Sequence, residues 1–333
     1  MIHNKRYGVA RGYLQNWHWP ARLKCNKLYE LFADNQRTKN ASADHFKCSA
    51  SEGLSLYSVL RHCVEVAIMP TGECRGACLA YTALCLGIDC LMGTARGLVA
   101  PRVLERSVEK FLDAFNAAWG MDFSTPKFHW LLHFGDHLDV IGFLVSCWSP
   151  VRKHNIPKRY GTDIRNSTTY DSSLIHEVSC DHLCKLQDPN TFKLLEVGLI
   201  RPHPATKPLR AFVKEALHLS DEQNAQVTML MSNQCRLSKH SVCSVKDVVL
   251  VSNISADGGN EIQAGEVWAC LSIEGEFVII LTTWELVVKD GCSATWRVAL
   301  NPEMVPASSV LESLIWASHA PGIVKTLLPP HFG

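Results

Sequence analysis

GEVWACLSIEGEFVIILTTW, residues 265–284, is the stretch whose reading decides the fold. Two β-rich runs, 265–273 and 276–284, flank the turn-forming pair Glu274-Gly275, an arrangement that predicts a β-hairpin. Before it, Asp247-Val248-Val249-Leu250-Val251 reads as a further strand, closed by the turn former Asp257-Gly258-Gly259-Asn260. After it, Trp296-Arg297-Val298-Ala299 adds a strand, Ser309-Val310-Leu311-Glu312 reads as the cap of a short helix, and residues 322–328 read as a closing strand. Roughly five short strands in about 90 residues predict a small SH3-like β-barrel over 240–333.

The grammar before residue 240 is helical. Ser49-Ala50-Ser51-Glu52 is a capping box: a hydroxyl takes an orphan amide and a Glu follows three residues later. Leu56, Leu60, Val64 and Ala67 then recur at helical spacing until Pro70. Pro101 suits a first turn, and Leu104, Val108, Phe111, Leu112, Phe115 and Trp119 share one face before Gly120. Asp181 reads as the cap of a short helix holding Leu183 and Leu186. The segment Arg201-Pro202-His203-Pro204 reads as a connection, followed by a helix over 209–217. The expected fold class is α+β, a mostly helical larger domain followed by the small barrel. Its divisions are an N-terminal segment at 1–45, a helical domain at 46–235 and the barrel at 240–333.

Composition narrows the function classes. Hydrophobic residues make up 47% and charged residues 20%, enough to bury a core. With 33 Lys and Arg against 32 Asp and Glu, the chain is not a uniformly basic nucleic-acid binder, which leaves a local patch as the remaining route to phosphate. The 14 cysteines include no C-x-x-C pair, and several sit in apolar runs as small hydrophobes. The expectation is a reduced, nuclear or cytoplasmic and unsecreted protein. Residues 77–92, interrupted by Asp89, fall short of the roughly 20 residues a bilayer needs and read as a buried helix, so no membrane partner is expected.

Between 127 and 184 lie the residues with chemistry. His129, His133 and His137 are four apart, a spacing that stacks imidazoles on one helix face and is one way to hold zinc. No Glu follows the first His and Gly135 divides the run, so core or surface histidines are the reading, with no metal and no cofactor assigned. Cys180 and Cys184 flank His182 and supply only two convergent ligands; they read as buried thiols. No P-loop, G-x-G-x-x-G or G-x-S-x-G occurs, and Cys147 beside Trp148 has no partner assigned by sequence. Residues 150–165 carry five Lys or Arg against one Asp: Arg152, Lys153, Lys158, Arg159 and Arg165, with His154 among them. A cluster of this kind neutralises phosphates without choosing a sequence; the alternative is a solvated charged face, against which Pro157 breaks any simple amphipathic helix. Tyr160 is placed to stack on a base or to fill a core.

The block Pro126-Lys127-Phe128-His129-Trp130-Leu131-Leu132-His133-Phe134, with Gly142-Phe143, Arg152-Lys153-His154 and Lys158-Arg159-Tyr160, resembles the C-terminal region of CACTA-type (En/Spm-like) transposases, multiplied in plant and protist genomes. Trp17-His18-Trp19-Pro20, residues 46–52 and residues 247–329 look like the same set. The resemblance implies a ribonuclease H-like core whose carboxylates hold two metal ions that activate water and then the freed 3′ hydroxyl. It places the first carboxylates upstream of this chain and the last Glu directly before Arg152, where Val151 stands. The implied protein is a transposon-derived fragment without transposase activity, binding DNA nonspecifically through Arg152, Lys153, His154, Lys158, Arg159 and Arg165. On that reading the first 45 residues meet a missing part and leave Trp17 and Trp19 exposed. Two alternatives stay open. One is a protein-interaction module at the barrel, with Trp268, Trp284 and Trp296 either lining a groove or filling the core. The other is a metal-dependent nuclease remnant using the histidines with Asp136, Asp139 and Asp163.

Overall fold

The computed structural model describes residues 4–329, apart from 24, 26, 44, 45, 95, 96, 143, 145–168, 188–196, 238–240 and 255–259. The chain forms two compact units, Met1–Asp136 with Glu196–Gly333, and His137–Leu195. It is an α+β protein.

The hairpin forms where the turn residues require it. Strands β8 (Asn260–Ile273) and β9 (Glu276–Asp290) pair from Ile273–Glu276 to Ala264–Trp284. Glu274 and Gly275 both take positive φ, 53° and 92°, the left-handed pair that matches the twist of the flanking strands. Gly265 is fixed by close approach instead: a Cβ there would stand 2.6 Å from both Leu281 Cδ1 and the Thr282 carbonyl oxygen.

The rest of the antiparallel sheet grows from this hairpin. β7 (Val248–Ile254) pairs with β8, β10 (Ser293–Pro306) with β9, and β12 (Ile323–Leu327) with β10. β11 (Val310–Ala320) then pairs with both β12 and β7, so the six strands close a ring. The Ser309–Glu312 pattern therefore caps no helix. After one 3₁₀ turn, Ala307–Ser309, the chain enters β11, because two neighbouring strands offer its backbone a complete ladder. Two further strands, β4 (Met229–Ser232) and β3 (His203–Pro204), extend the sheet past β8, so strand structure starts well before residue 240. A second small sheet contains β2 (Gly198–Leu199), β5 (Gln234–Arg236) and β6 (Val242–Ser244).

Alternation along β7 explains its unbroken apolar run. Val248 and Leu250 face a core with Trp284, Trp296, Leu314 and Val324. Val249 and Val251 face another with Ile279, Leu281, Cys235 and Cys243, the two cysteines arriving from the small sheet. Both faces are covered, so neither needs polar residues. Trp296 is fully buried and its Nε1 donates to Thr326 Oγ1 at 2.7 Å. Of the three tryptophans weighed for a groove, Trp284 and Trp296 are core and Trp268 is 59% exposed.

The N-terminal helices pack against this sheet and each other. α1 (Asn4–Gln15) leads into a two-residue strand, β1 (Trp17–His18), which pairs with β11 at Ala317 and Trp316. Trp17 and Trp19 are therefore buried, not exposed: they join Leu14, Phe32, Leu56, Val59, Ala317 and Leu327 in one core. After α2 (Asp34–Ala43), the Ser49–Glu52 capping box forms in full at the start of α3 (Ala50–Cys63). The chain continues through a π turn, Val64–Ile68, and a 3₁₀ turn, Met69–Thr71, that contains Pro70. α5 (Pro101–Trp119) buries Leu104, Val108 and Phe111 and ends at Gly120 with φ 87°.

Helix α4 (Arg75–Thr94) departs from expectation. It starts before the apolar run and ends after it, which makes it long and apolar enough, by length and composition only, to cross a membrane. It is not a buried helix either. Cys78, Ala80, Cys85 and Gly87 face inward, while Leu79, Leu86 and Met92 are exposed. α4 packs along α5, where a Cβ on Gly76 would lie 3.4 Å from Ala118 Cβ, an ordinary van der Waals contact.

α6 (Pro126–Leu132) and α7 (Phe134–Ile141) follow, and the His137–Leu195 unit contains α8 (Tyr170–Gln187). Asp181 lies inside α8 instead of starting a helix. α9 (Lys207–Ala216) opens on Pro208 in its first turn, and α10 (Asp221–Gln226) on a second capping box, Ser220 with Gln223.

Candidate functional site

The basic cluster, Arg152, Lys153, His154, Lys158, Arg159 and Arg165, lies outside the described residues, as do Val151, Cys147, Tyr160 and Asp163. Other sequence candidates are visible. His129, His133 and His137 are all surface residues. His129 Nε2 and His133 Nε2 are 3.3 Å apart, and His133 Nδ1 is 3.8 Å from Asp136 Oδ2. Cys180 and Cys184 are exposed on α8, which corrects the buried-thiol reading; Cys180 Sγ meets His176 Nε2 at 3.7 Å. Among the described residues, no group of three or more His, Cys, Asp or Glu gathers as a metal site.

Chemistry that the sequence did not reveal collects where α3 and α4 meet the sheet. Arg61 Nε donates to Glu65 Oε1 at 2.8 Å and Arg61 Nη1 to Asp89 Oδ2 at 2.8 Å. Tyr57 Oη donates to Asp89 Oδ1 at 3.0 Å, and Cys292, in the β9–β10 turn, lies 3.9 Å from Glu65 Oε2. Burial pushes the Asp89 carboxyl above its usual range, outweighing the two donors that favour its charge. Next to Arg61 in the chain, His62 is 5% exposed, shares a hydrogen bond with Tyr13 and packs edge-on against Trp17. Burial, then the Lys325 ammonium, push its pKa down to about 4, against smaller opposing effects of Glu65 and Asp290. Its imidazole is neutral at pH 7.

These groups tie helices to sheet. They hold no activated nucleophile: burial pushes the Cys63 thiol up to about 11 and Cys85 up to about 12, and raises Cys292 as well. Tyr13 and Tyr57 are likewise raised by burial, so both phenols stay protonated.

Beside this network runs a groove of about 350 Å³ between α3, the end of α4, and the β11–β12 seam. Leu54, Met92, Leu314 and Leu328 give it apolar walls, and Ser58 and Ser313 are among its hydroxyls. Ser313 is 7% exposed and its Oγ has no hydrogen-bond partner among the described residues. The groove draws on five separate pieces of chain, so no local sequence signal marks it.

A different surface opens on the ring itself. β8 leaves β9 at Trp284, so residues 285–290 of β9 are bonded only to β10 among the described residues. Leu286, Val287 and Val288 on that free edge are 44–51% exposed.

No protein-family model, characterised protein or solved structure matches the chain.

Proposed function

We propose that this chain is a transposon-derived protein that binds DNA without sequence preference and does not itself cut it. The observation carrying this reading is the charge concentration at 150–165, five Lys or Arg against one Asp in a chain of net charge +1. Arg152, Lys153, Lys158 and Arg159 supply phosphate contacts, with His154 and Arg165 beside them. Val151 stands where the transposase resemblance implies a metal-binding Glu, and Val ligates no metal. The role places the protein with DNA, in the nucleus or cytoplasm. The test is anisotropy of a labelled random duplex at several salt concentrations, for the wild type and for a variant with Arg152, Lys153, Lys158 and Arg159 changed to Gln. Each lost phosphate contact reduces the log–log salt slope by about 0.9, so the variant's slope should be shallower by roughly 3 to 4. Equal affinity and slope in both proteins would remove the cluster from the interface.

A second reading makes the ring of strands an SH3-like protein-interaction module. The edge of β9 that is unpaired among the described residues favours it, since an apolar strand bonded on one side offers its backbone to an added strand. Val287→Lys should abolish partner or self-association measured by sedimentation of the full chain. Association unchanged by that charge would move the contact elsewhere.

A further inference from the structure

His129 lies in α6 and His133 is its C-terminal cap, still right-handed at φ −85° and ψ −2°, so the i, i+4 relation survives the end of the helix. Their rings meet at 84° with centroids 4.9 Å apart, and the two Nε2 atoms converge to 3.3 Å. That separation has a meaning in coordination chemistry. Two imidazole nitrogens bound to zinc at about 2.0–2.1 Å under a tetrahedral angle are about 3.3–3.4 Å apart. The two Nε2 atoms thus already stand at the separation that two ligands of one ion would have, a hydrogen bond between them spanning the distance without the ion.

The surroundings agree. Asp136, at the start of α7, places Oδ2 3.8 Å from His133 Nδ1, on the far side of the ring from the shared Nε2 point. At that distance the carboxylate is a neighbouring negative charge and not a hydrogen-bond partner, and its field favours a cation on the ring pair. Both histidines are exposed, the His133 side chain at 49%, so an ion can enter and keep water. No third His, Cys, Asp or Glu joins them among the described residues, which leaves the remaining coordination positions to solvent or an incoming ligand.

We propose that His129 and His133 form a two-imidazole site for a divalent transition-metal ion, zinc or copper, with the Asp136 carboxylate as a nearby compensating charge. The ion binds through Nε2 of each ring and completes its shell with water. Copper binds more tightly than zinc, as imidazole sites generally order these metals. The inference is independent of DNA binding, because none of its residues belongs to the 150–165 cluster.

The test uses the full chain, freed of metal with chelator. Zn²⁺ is titrated calorimetrically, and Cu²⁺ is followed by electron paramagnetic resonance, whose nitrogen splitting counts imidazoles. The wild type should show a Cu²⁺ signal with two nitrogens. His129→Gln and His133→Gln should each lose one nitrogen from it and weaken Zn²⁺ binding at least about tenfold. Asp136→Asn should keep both nitrogens and weaken binding by a smaller factor, as expected of an exposed neighbouring charge. All three positions are on the surface, so circular dichroism should not change. The pair Cys180 and His176 is absent from these variants' changes, and a copper signal bearing sulfur would report it separately. A two-nitrogen signal that persists in both Gln variants, or Zn²⁺ affinity equal in all four proteins, overturns the proposal.

Discussion

Acidification should destabilise the fold through His62. The ring is 5% exposed and its folded pKa is about 4 against a reference of 6.5, lowered by burial and by Lys325. The unfolded chain therefore binds the proton more readily than the folded one between these two values. Stability from this group is complete above pH 6.5 and is lost as pH falls from there toward 4. Between about pH 7.5 and about pH 5, the linkage amounts to about 2 kcal/mol. Urea unfolding at the two pH values measures the total loss, to which the carboxylates also contribute. His62→Gln removes the titrating ring and leaves those carboxylates in place, so its loss over the same interval should be smaller by about 2 kcal/mol. Lys325→Met removes one of the two depressing causes and should shrink the loss in part. Equal losses in wild type and His62→Gln would refute the assignment of a depressed pKa to this ring, and with it the account of a neutral imidazole clamped between Tyr13 and Trp17.

Two further outcomes follow from the sheet. Trp296→Phe keeps most of the buried ring but strands Thr326 Oγ1 in a dry core, and should lower the unfolding free energy by about 1–3 kcal/mol. Gly265→Ala forces a methyl against Leu281 and the Thr282 carbonyl across the hairpin; a loss of about 1–3 kcal/mol is expected, and a neutral result by urea titration would mean that β8 and β9 can separate there.

What the sequence disclosed is what is decided locally. Glu274-Gly275 specifies its own turn, the Ser49–Glu52 box closes within four residues, and the apolar face of α5 repeats at helical spacing. The failures share the opposite property. Ser309 followed by Glu312 has the form of a cap, and only the ladders with β7 and β12 turn those residues into a strand. Two residues, Trp17 and His18, carry no strand signal and become one because β11 offers them an edge. Residues 77–92 were too short a window for α4, since its polar ends continue the helix, and its exposure depends on which neighbour covers which side. The candidate sites divide in the same way. Charge at 150–165 can be counted along the chain, and the histidine spacing can be read there. The convergence of two Nε2 atoms, the buried Asp89–Arg61–Glu65 network and the groove at Ser313 exist only after distant segments or side-chain rotamers have been fixed.

The pairing of Trp17 with Ala317 sets a schedule for the newborn chain. A ribosome releases the N-terminus first, and at roughly 5–20 residues per second about 300 further residues take about 15–60 s to appear. Through that interval Trp17 and Trp19 have their helical neighbours but lack the strand they finally lie against, so a chaperone has a defined pair of tryptophans to shelter. Vectorial synthesis thus leaves this core waiting for strands made about 300 residues later. A stop codon anywhere before β11 would do more than remove the barrel: it would also leave the opening helices without their closing partner.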